Sequence, residues 1–446
     1  MNILVLNGSP KGYNSITLQT VLYLQKLNSK NTFTVFNVGP RIKALENDFS
    51  PAAEELQKAD IILFSYPVYT FIAPYQLHRF IELMKENNVD VAGKYATQIT
   101  TSKHFYDVTA HRYIQDNCAD LGLKFVRGLS ADMEDLLSKK GQKEARDFWK
   151  HFLWCVKNDY FEISYSKKTN PKHKKITLPK EDVAKKDGDI VIVTDATAET
   201  TQLNNMIARF QALLPIKSRV VNITDYPFMG GCLGCFNCAV DGTCIYKDGF
   251  DAFLRNNIQT AQAIIFAFTI KDHSMGARFK MYDDRQFCNG HRTVTMGMPM
   301  GYLISGNLSE EENLRTIIEG RAQVGGNILT GIATDEMAPD KEIEKLIASL
   351  VYALKNKNVG PQNFYGVGGM KIFRDLIYQM QGMMKADHQF FKSHGQYDFP
   401  QKDKATIAKM YLVGALLSTP AIKSKMGNKM TEGMLAPYKK VLEEKK

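Results

Sequence analysis

The sequence has no apolar run long enough to cross a membrane and no recognisable leader. Its strongest apolar runs, at 61–64 and 264–268, have the length of a β-strand, whereas a membrane span needs about 18 uninterrupted apolar residues. The first eight residues pass from an apolar run to a glycine without a basic segment or a cleavage site, so they predict a strand, not a signal peptide. We therefore expect a cytoplasmic protein without a transmembrane segment.

A nucleic-acid motif is also missing, although the net charge is +10. Many of the lysines lie between positions 167 and 186 or near the C-terminus, and few aromatic residues are interleaved with them. Such runs are typical of a solvated linker and a basic tail, and a basic protein can equally serve an anionic cofactor. We expect no nucleic-acid partner.

Length and periodicity predict an α/β protein with two related domains. At roughly 150 residues per domain, 446 residues suffice for two or three. Strand and helix patterns alternate over 1–158, stop in a lysine-rich linker over 159–187, begin again over 188–337 and give way to a mainly helical extension over 338–446. The predicted fold class is two tandem doubly wound parallel sheets followed by helices.

Individual elements follow from the same patterns. In the first half we predict strands over 3–6, 32–37, 61–65 and 95–101, and helices over 17–27, 51–58 and 75–86. In the second half we predict strands over 190–194, 218–222, 263–268 and 301–305, and helices over 201–213 and 250–257. In the extension we predict helices over 341–356, 372–384 and 404–417.

The loop after the first strand has the composition of an anion site. It reads Gly-Ser-Pro-Lys-Gly-Tyr-Asn-Ser-Ile-Thr over 8–17 and leads into an amphipathic helix. Amide groups at a helix start have no partner within the helix, and the helix dipole places about half a positive charge there. Ser9, Asn14, Ser15 and Thr17 add side-chain donors without a nearby carboxylate. The same residues would also suit a simple turn with an N-cap.

The loop after the third predicted strand is aromatic and lies where ligands bind in such sheets. It passes from a buried strand through Pro67, Val68, Tyr69 and Thr70 into the next helix. In open α/β sheets, ligands bind beyond the carboxyl ends of the strands. The first and third loops are therefore expected to share one site.

Together these segments resemble the NAD(P)H-dependent FMN reductase and iron–sulfur flavoprotein group of the flavodoxin-like superfamily. That group has a Gly-Ser-Pro loop first and a Pro-Val-Tyr loop before a Leu-x-x-Phe-Ile helix, which correspond here to 8–10, 67–69 and 77–81. The resemblance implies two flavodoxin-like domains, a bound FMN and NAD(P)H as the electron donor.

The resemblance also implies roles for particular residues. The FMN phosphate would be held by Ser9, Lys11, Asn14, Ser15 and Thr17, and the isoalloxazine ring would be lined by Pro67, Val68, Tyr69 and Thr70. Further ring contacts would come from Thr100, Thr101 and Ser102 after the fourth strand. Tyr69, Lys103 and His104 are the candidate catalytic residues, although Lys103 and His104 would equally suit a solvated loop.

Four of the seven cysteines crowd one segment of the second half. Cys232, Cys235, Cys238 and Cys244 have the spacing C-x2-C-x2-C-x5-C, and such crowding in a reducing compartment indicates metal rather than disulfides. Successive x2 spacings resemble ferredoxin ligation, so we expect a [4Fe–4S] cluster. Zinc is one alternative, and a loop of free buried cysteines is another.

The two halves have lost complementary parts. The first has the phosphate loop but no cysteine between Asn37 and Ala59, whereas the second has the cysteines but carries Asp195 and Glu199 in its first loop. These carboxylates would repel a phosphate. We expect one FMN per chain and infer that the cysteine loop of the second half faces the flavin of the first.

The expected activity is transfer of electrons from NAD(P)H through FMN, and through the cluster, to a small organic acceptor. Two other functions stay open: a non-enzymatic electron carrier serving redox protein partners, and a binding module in which redox chemistry has lapsed. A homo-oligomer is compatible with the sequence. Cys288 and His291 lie three residues apart without a third orienting group, which disfavours a thiol catalyst.

Overall fold

The structure is a computed structural model that describes residues 1–162, 173–357, 359–420, 434–436, 438 and 442. It forms two compact units, Met1–Phe390 and Phe391–Lys446. The first unit contains both predicted sheets.

The first sheet is entirely parallel. Its strands are β1 (Asn2–Asn7), β2 (Thr32–Asn37), β3 (Ile61–Pro67), β4 (Tyr95–Ser102), β5 (Lys124–Phe125) and β6 (Leu129–Asp132). The order is β2-β1-β3-β4-β5, with β6 also paired to β4. The associated helices are α1 (Ile16–Leu27), α2 (Val38–Asn47), α3 (Ser50–Lys58), α4 (Tyr75–Glu86), α5 (Asp107–Asp120) and α6 (Lys139–Lys157).

Helices cover both faces of this sheet because its central strands are apolar on both sides. In β1, Ile3 and Val5 belong to the hydrophobic cluster that includes Trp149 of α6. The alternate residues Leu4 and Leu6 belong to the opposite cluster with α4. Such continuous apolar strands are typical of parallel sheets.

The second sheet repeats this topology. Its strands are β7 (Lys186–Thr194), β8 (Ile216–Asn222), β9 (Ala263–Thr269), β10 (Pro299–Ser305) and β11 (Ile328–Thr334). They lie in the order β8-β7-β9-β10-β11, again all parallel. Numbered within each half, both orders are 2-1-3-4-5, the flavodoxin-like order. The predicted fold class of two tandem flavodoxin-like sheets is confirmed.

The remaining helices complete the second half and continue beyond it. They are α7 (Thr201–Leu213), α8 (Asn237–Asp241), α9 (Phe250–Phe253), α10 (Gly276–Arg285), α11 (Glu312–Gly325), α12 (Pro339–Asn356), α13 (Phe364–Gln379), α14 (Lys385–Ser393) and α15 (Lys404–Leu417). No helix in the described ranges is both long and apolar enough to cross a membrane.

Helix α12 belongs to the second α/β layer and not to a separate extension. It packs against β11, β10 and α7, so this layer runs to Asn356 and passes the boundary predicted at 337. Helix α13 packs against α11 and also remains with the first unit.

The described part of the predicted linker is mostly exposed but is attached to the second half at a few positions. Ile176 is buried, and the Lys185 ammonium donates to backbone carbonyls at the C-terminal end of α7, including Ala212 and Leu214 at 3.0 Å. Cations at a helix C-terminus satisfy its last carbonyls. Lys167, Lys168 and Lys172 of the predicted basic run lie outside the described residues.

Helices α4 and α10 pack the two halves together with pseudo-two-fold symmetry. The Tyr75 amide at the start of α4 donates to Asp284 Oδ2 of α10 at 2.8 Å, and the Ala277 amide near the start of α10 donates to Glu82 Oε1 of α4 at 2.7 Å. Ala277 and Asp284 occupy the positions in α10 that Tyr75 and Glu82 occupy in α4. The chain therefore contains, within itself, an interface of the kind that a symmetric dimer would form.

Candidate functional site

The first loop is held open at the N-terminus of α1. The Asn7 side-chain amide donates to the Gly12 carbonyl at 2.8 Å, while Ser9 is almost fully buried. Ser15 caps the helix by accepting a hydrogen bond from the Leu18 amide at 3.3 Å, and the first turn contains no acidic residue. The remaining amides of that turn and the helix dipole suit a phosphate.

The aromatic loop is a tight turn between β3 and α4. Tyr69 and Ile72 exchange backbone hydrogen bonds of 2.8 and 3.1 Å. The residues between them, Thr70 and Phe71, have positive φ angles of 42° and 73°. Non-glycine residues keep such angles only where their surroundings fix them, which is common at ligand sites.

Those surroundings come from the second half of the chain. The fully buried Lys280 of α10 donates to the Tyr69 carbonyl at 3.0 Å and to the Thr70 hydroxyl. Thr70 in turn donates to Asp284 Oδ1 at 2.6 Å, and Lys280 also pairs with that carboxylate. The shape of the first half's aromatic loop thus depends on one ion pair of the second half.

The fourth-strand loop is tied to the phosphate loop. The hydroxyls of Thr17 and Thr101 are 2.6 Å apart in a buried hydrogen bond. Lys103 pairs with Asp132 at 2.8 Å and Glu134 at 3.5 Å. Burial opposes its charge, but these carboxylates outweigh burial and raise the pKa of Lys103. Lys103 is therefore a cation at neutral pH.

The cysteine loop packs directly on the aromatic loop because two of its residues are glycines. A Cβ on Gly231 would lie 2.6 Å from the Tyr75 ring, and one on Gly234 would collide with the Tyr69 hydroxyl. Gly234 also has a positive φ of 59°. Close approach of this kind is available only to glycine. Lys11 of the phosphate loop completes the contact, with its ammonium 5.7 Å from the centre of the Phe236 ring.

One cavity unites these segments. Of the predicted cofactor and catalytic residues, those that line it are Ser9, Lys11, Ser15, Thr17, Pro67, Val68, Tyr69, Thr70, Thr101, Ser102 and Lys103. All four predicted metal ligands, Cys232, Cys235, Cys238 and Cys244, line the same cavity. The inference that the cysteine loop faces the first half's loops agrees with this arrangement.

Three predicted site residues lie outside the lining. Asn14 is exposed beyond the turn. Thr100 is buried, and its hydroxyl is hydrogen-bonded to His111 Nε2 at 2.8 Å. His104 is about half exposed and pairs with Asp107 at 2.8 Å. Side chains alternate along a strand, so Thr100 and Thr101 of β4 face opposite ways and only Thr101 reaches the cavity.

The thiols of the cysteine loop differ in their surroundings. Burial raises the pKa of Cys232 well above its usual range and raises that of Cys238 to about 11. Cys238 donates from Sγ to the Phe287 carbonyl at 2.9 Å, while Cys235 is exposed. Within the described residues, no three or more His, Cys, Asp or Glu side chains form a group that could hold a metal ion. The donor set of four thiols on one cavity still has the chemistry that an iron–sulfur cluster requires.

A buried arginine lies beneath the cysteine loop, and sequence reasoning missed it. Arg285 forms two hydrogen bonds of 2.8 Å with Asp248 and one of 2.9 Å with the Gly230 carbonyl, and its guanidinium lies 4.5 Å from the centre of the Tyr246 ring. Burial opposes ionisation of Asp248, but Arg285 outweighs it and lowers the pKa of that carboxyl to about 2. In the sequence, the Lys-Asp-Gly-Phe segment at 247–250 contains Asp248, but Arg285 lies too far along the chain to be recognised as its partner.

Lys280 and Asp284 were also missed, as were the cavity residues from α13. The two charged residues stand four apart on a helix, which by itself indicates only a surface ion pair. Ile372, Phe373 and Leu376 of α13 line the cavity, although their helix was predicted only as part of an extension. Neither contribution has a local sequence signal.

The corresponding first loop of the second half opposes an anion. Asp195 is partly buried there, and desolvation raises the pKa of its carboxyl to about 7. A second anionic cofactor would add charge beside a carboxylate that is already poorly solvated. This supports the expectation of one FMN per chain.

We expect Asp195→Asn to stabilise the protein at pH 8 but not at pH 4. Because the folded-state pKa of about 7 exceeds the ordinary value of 3.8, the folded state binds the proton more tightly. The carboxyl therefore costs stability increasingly as the pH rises from 3.8 to about 7. We expect a gain on the order of 2 kcal/mol in the free energy of unfolding at pH 8, measured by urea denaturation.

The matched control for this variant is Glu199→Gln in the same loop, where the side chain is exposed. That variant should leave the urea midpoint unchanged at both pH values. Equal stability of Asp195→Asn and the parent at pH 8 would contradict the expected cost of burying this carboxyl.

Comparisons with known proteins concern about a third of the chain. A family profile described as flavodoxin-like fold matches residues 1–146. Among solved structures, the chain is similar to an FMN-dependent NADH-azoreductase from Bacillus anthracis in complex with FMN, with 12% identity over 34% of this chain and 98% of that one and a TM-score of 0.27. It is also similar to an NAD(P)H:quinone oxidoreductase from Methanothermobacter marburgensis, with 13% identity over 37% and 99% and a TM-score of 0.28. A search of curated proteins finds no match. At such identities the likeness concerns the fold alone.

Proposed function

We propose that this chain binds one FMN in the cavity described above and passes electrons from NAD(P)H to a small organic acceptor, of the quinone or azo class. The observation that carries the proposal is the convergence of a phosphate-type helix N-terminus, a constrained aromatic turn and the fourth-strand loop on one cavity. An FMN bound there would supply two-electron chemistry by accepting and donating a hydride.

The chain's own residues position the cofactor and exclude water. Ser9, Lys11, Ser15 and Thr17 would hold the phosphate, with the first turn of α1 supplying amides. Pro67, Val68, Tyr69 and Thr70 would cover the ring, and Thr101 and Ser102 would meet its edge. Burial raises the pKa of Tyr69 well above its usual range, so Tyr69 stays a neutral donor. Lys103, fixed by Asp132, would place a positive charge near the flavin oxygens.

The [4Fe–4S] cluster is a finer part of the proposal. Cys232, Cys235, Cys238 and Cys244 would be its ligands, and a bound cluster would supply one-electron storage next to the flavin site. Backbone and arginine donors lie near these thiols: the Gly234 amide donates to Cys232 Sγ at 3.4 Å, and Arg285 lies 4.0 Å from Cys244 Sγ. N–H groups of this kind commonly tune cluster sulfurs. Zinc and a metal-free loop are the outcomes that elemental analysis distinguishes.

An electron carrier for redox protein partners is the second candidate. It is favoured by the exposure of Cys235, which would bring a cluster close to the surface. A carrier would exchange electrons with proteins but would oxidise NAD(P)H slowly in the presence of small acceptors. The proposed enzyme would oxidise NAD(P)H rapidly with small acceptors and would exchange electrons with proteins slowly. We expect it to act in the cytoplasm and without a nucleic-acid partner.

The deciding experiment is an anaerobic absorption spectrum of untagged protein, with iron and acid-labile sulfide assays, before and after NADPH or NADH. We expect flavin bands that nicotinamide bleaches, and about four irons per chain if the cluster is present. Flavin without iron or sulfide would leave an FMN reductase and remove the cluster. Absence of flavin after reconstitution with FMN would overturn the proposed function.

A further inference from the structure

A buried histidine–aspartate pair lies beside the cavity, with His291 in the cavity lining. His291 Nδ1 lies 2.9 Å from Asp387 Oδ2, and the His291 backbone amide donates to the same oxygen at 3.1 Å. The Asp387 side chain is fully buried and that of His291 is 8% exposed. The pair joins the segment after α10 to α14, which are almost a hundred residues apart.

The geometry fixes the orientation of the imidazole. Gly290, with a φ of 60°, brings the backbone so close to Asp387 that a Cβ there would lie 2.3 Å from Oδ1. The His291 ring lies edge-to-face against Phe373 of α13, with ring centroids 4.7 Å apart, and against Phe287 at 5.8 Å. With Nδ1 bonded to a carboxylate, Nε2 is the nitrogen left to act as an acid or base.

His291 lines the same cavity as the aromatic turn and the cysteine loop. An orienting carboxylate, an imidazole held by it and a cavity for a reacting molecule are the parts of a general acid. Among the described residues, neither His291 nor Asp387 is hydrogen-bonded to the phosphate loop or to Lys280, and the contact of His291 with the aromatic turn runs through the rings of Phe373, Phe105 and Phe71.

We propose that His291 is the proton donor to the bound acceptor and that Asp387 is its positioning residue; this rests on the proposed function. A quinone that receives a hydride, supplied by NAD(P)H through the flavin, needs one proton to become a hydroquinone. The Nε2–H bond of the His291 imidazolium breaks as the O–H bond of the hydroquinone forms, and the neutral imidazole then takes a proton from water. NAD(P)H is oxidised and the quinone is reduced by two electrons.

The charged groups around the pair are consistent with this role. Asp387 also accepts a hydrogen bond from Arg292 at 3.0 Å, so the carboxylate contacts one permanent cation as well as the imidazole. Arg292 itself donates to the Cys238 and Cys288 carbonyls. The His291 ring otherwise contacts the neutral rings of Phe287 and Phe373.

Two other histidines near these loops, His273 and His111, are bonded to other partners. His273 is held between Asp120 and Glu311; burial opposes its charge, but these carboxylates raise its pKa to about 10. Burial lowers the pKa of His111 to about 4, and its Nε2 bonds to Thr100. Neither ring lines the cavity.

The test compares two acceptors in FMN-loaded protein. Benzoquinone reduction to hydroquinone needs a proton, whereas one-electron reduction of ferricyanide does not. We expect His291→Gln to lower the ratio of the two turnover rates about 100-fold, as loss of a general acid does. The matched control is His151→Gln, an exposed histidine on α6, which should leave the ratio unchanged.

Asp387→Asn provides a second variant that keeps the shape of the carboxyl group. We expect a smaller fall of the same ratio than in His291→Gln. A fall of both rates in parallel, or an unchanged ratio in both variants, would overturn the proposal. Wild-type protein that reduces neither acceptor would instead overturn the proposed function.

A binding measurement supplies a readout that does not depend on turnover. A phenolate such as 4-nitrophenolate mimics the oxyanion that receives the proton, so His291 should bind it as a hydrogen-bond donor. Calorimetric titration of FMN-loaded protein should give the same affinity for wild-type protein and for His151→Gln but a weaker affinity for His291→Gln. Equal affinity in all three proteins would contradict the assignment.

Discussion

Ser15→Asp is expected to remove FMN while leaving the fold intact. Aspartate is as good an N-cap as serine, so the hydrogen bond to the Leu18 amide is retained. Its carboxylate would, however, stand in the proposed phosphate cradle. At about 4 Å and an effective dielectric of about 20, two unit charges repel by about 4 kcal/mol, which corresponds to a loss in affinity of about 1,000-fold. Fluorescence titration of apoprotein with FMN measures this loss in affinity.

The second half of the chain offers the matched control for this substitution. Thr200 is the N-cap of α7, at the start of the first helix of the second half, where we expect no phosphate. Thr200→Asp should therefore bind FMN like the parent, and thermal unfolding of both variants should remain close to that of the parent. Stoichiometric flavin in Ser15→Asp would show that the phosphate lies elsewhere.

Lys280→Met is expected to destabilise the first unit by about 3–5 kcal/mol, because it leaves the buried Asp284 carboxylate without its cation. Burial already raises the pKa of Asp284, and Lys280 is the principal group that opposes this effect. The aromatic turn would lose the donor to the Tyr69 carbonyl as well. Urea denaturation measures the change, and weaker FMN binding should accompany it.

A double variant separates the effect of the unpaired charge on stability from the effect of altered packing. Lys280→Met combined with Asp284→Leu removes both charges, so we expect it to recover part of the stability that Lys280→Met loses. Lys58→Met is the surface control, since Lys58 pairs with Glu55 in solvent and should be replaceable without measurable change. If Lys280→Met were as harmless as Lys58→Met, the buried pair would not hold the turn.

Much of the fold follows from local patterns in the sequence. The predicted bounds of β2, α4, α7 and α15 coincide with those of the structure, because each has a distinct beginning or end in the sequence. Helix α2 was missed because a glycine and a proline in its first turn resemble a loop. The predicted helix over 250–257 is instead α9 followed by a π-helical segment, Leu254–Ile258.

The site could be predicted only where the relevant residues are close in sequence. The phosphate loop and the aromatic turn each lie in one strand–helix connection, so sequence order places them at the carboxyl edge of the sheet. The buried pair Lys280–Asp284, the Arg285–Asp248 pair and the His291–Asp387 pair depend on contacts between distant segments. Charged residues have no periodic signal that separates a buried partner from a solvated one.

Both sides of the pseudo-two-fold interface of α4 and α10 belong to one chain, so formation of the site does not depend on protein concentration. When two separate chains build a shared site, dilution takes it apart and every mutation appears on both sides. Here the second half is tethered to the first, so the partner is present at a high effective concentration at any protein level. Lys280 and the cysteine loop can also change without altering their counterparts, which are His78 and the corresponding segment of the first half. Covalent linkage thus lets one copy specialise in the proposed cofactor loops while the other supplies the opposite side of the cavity.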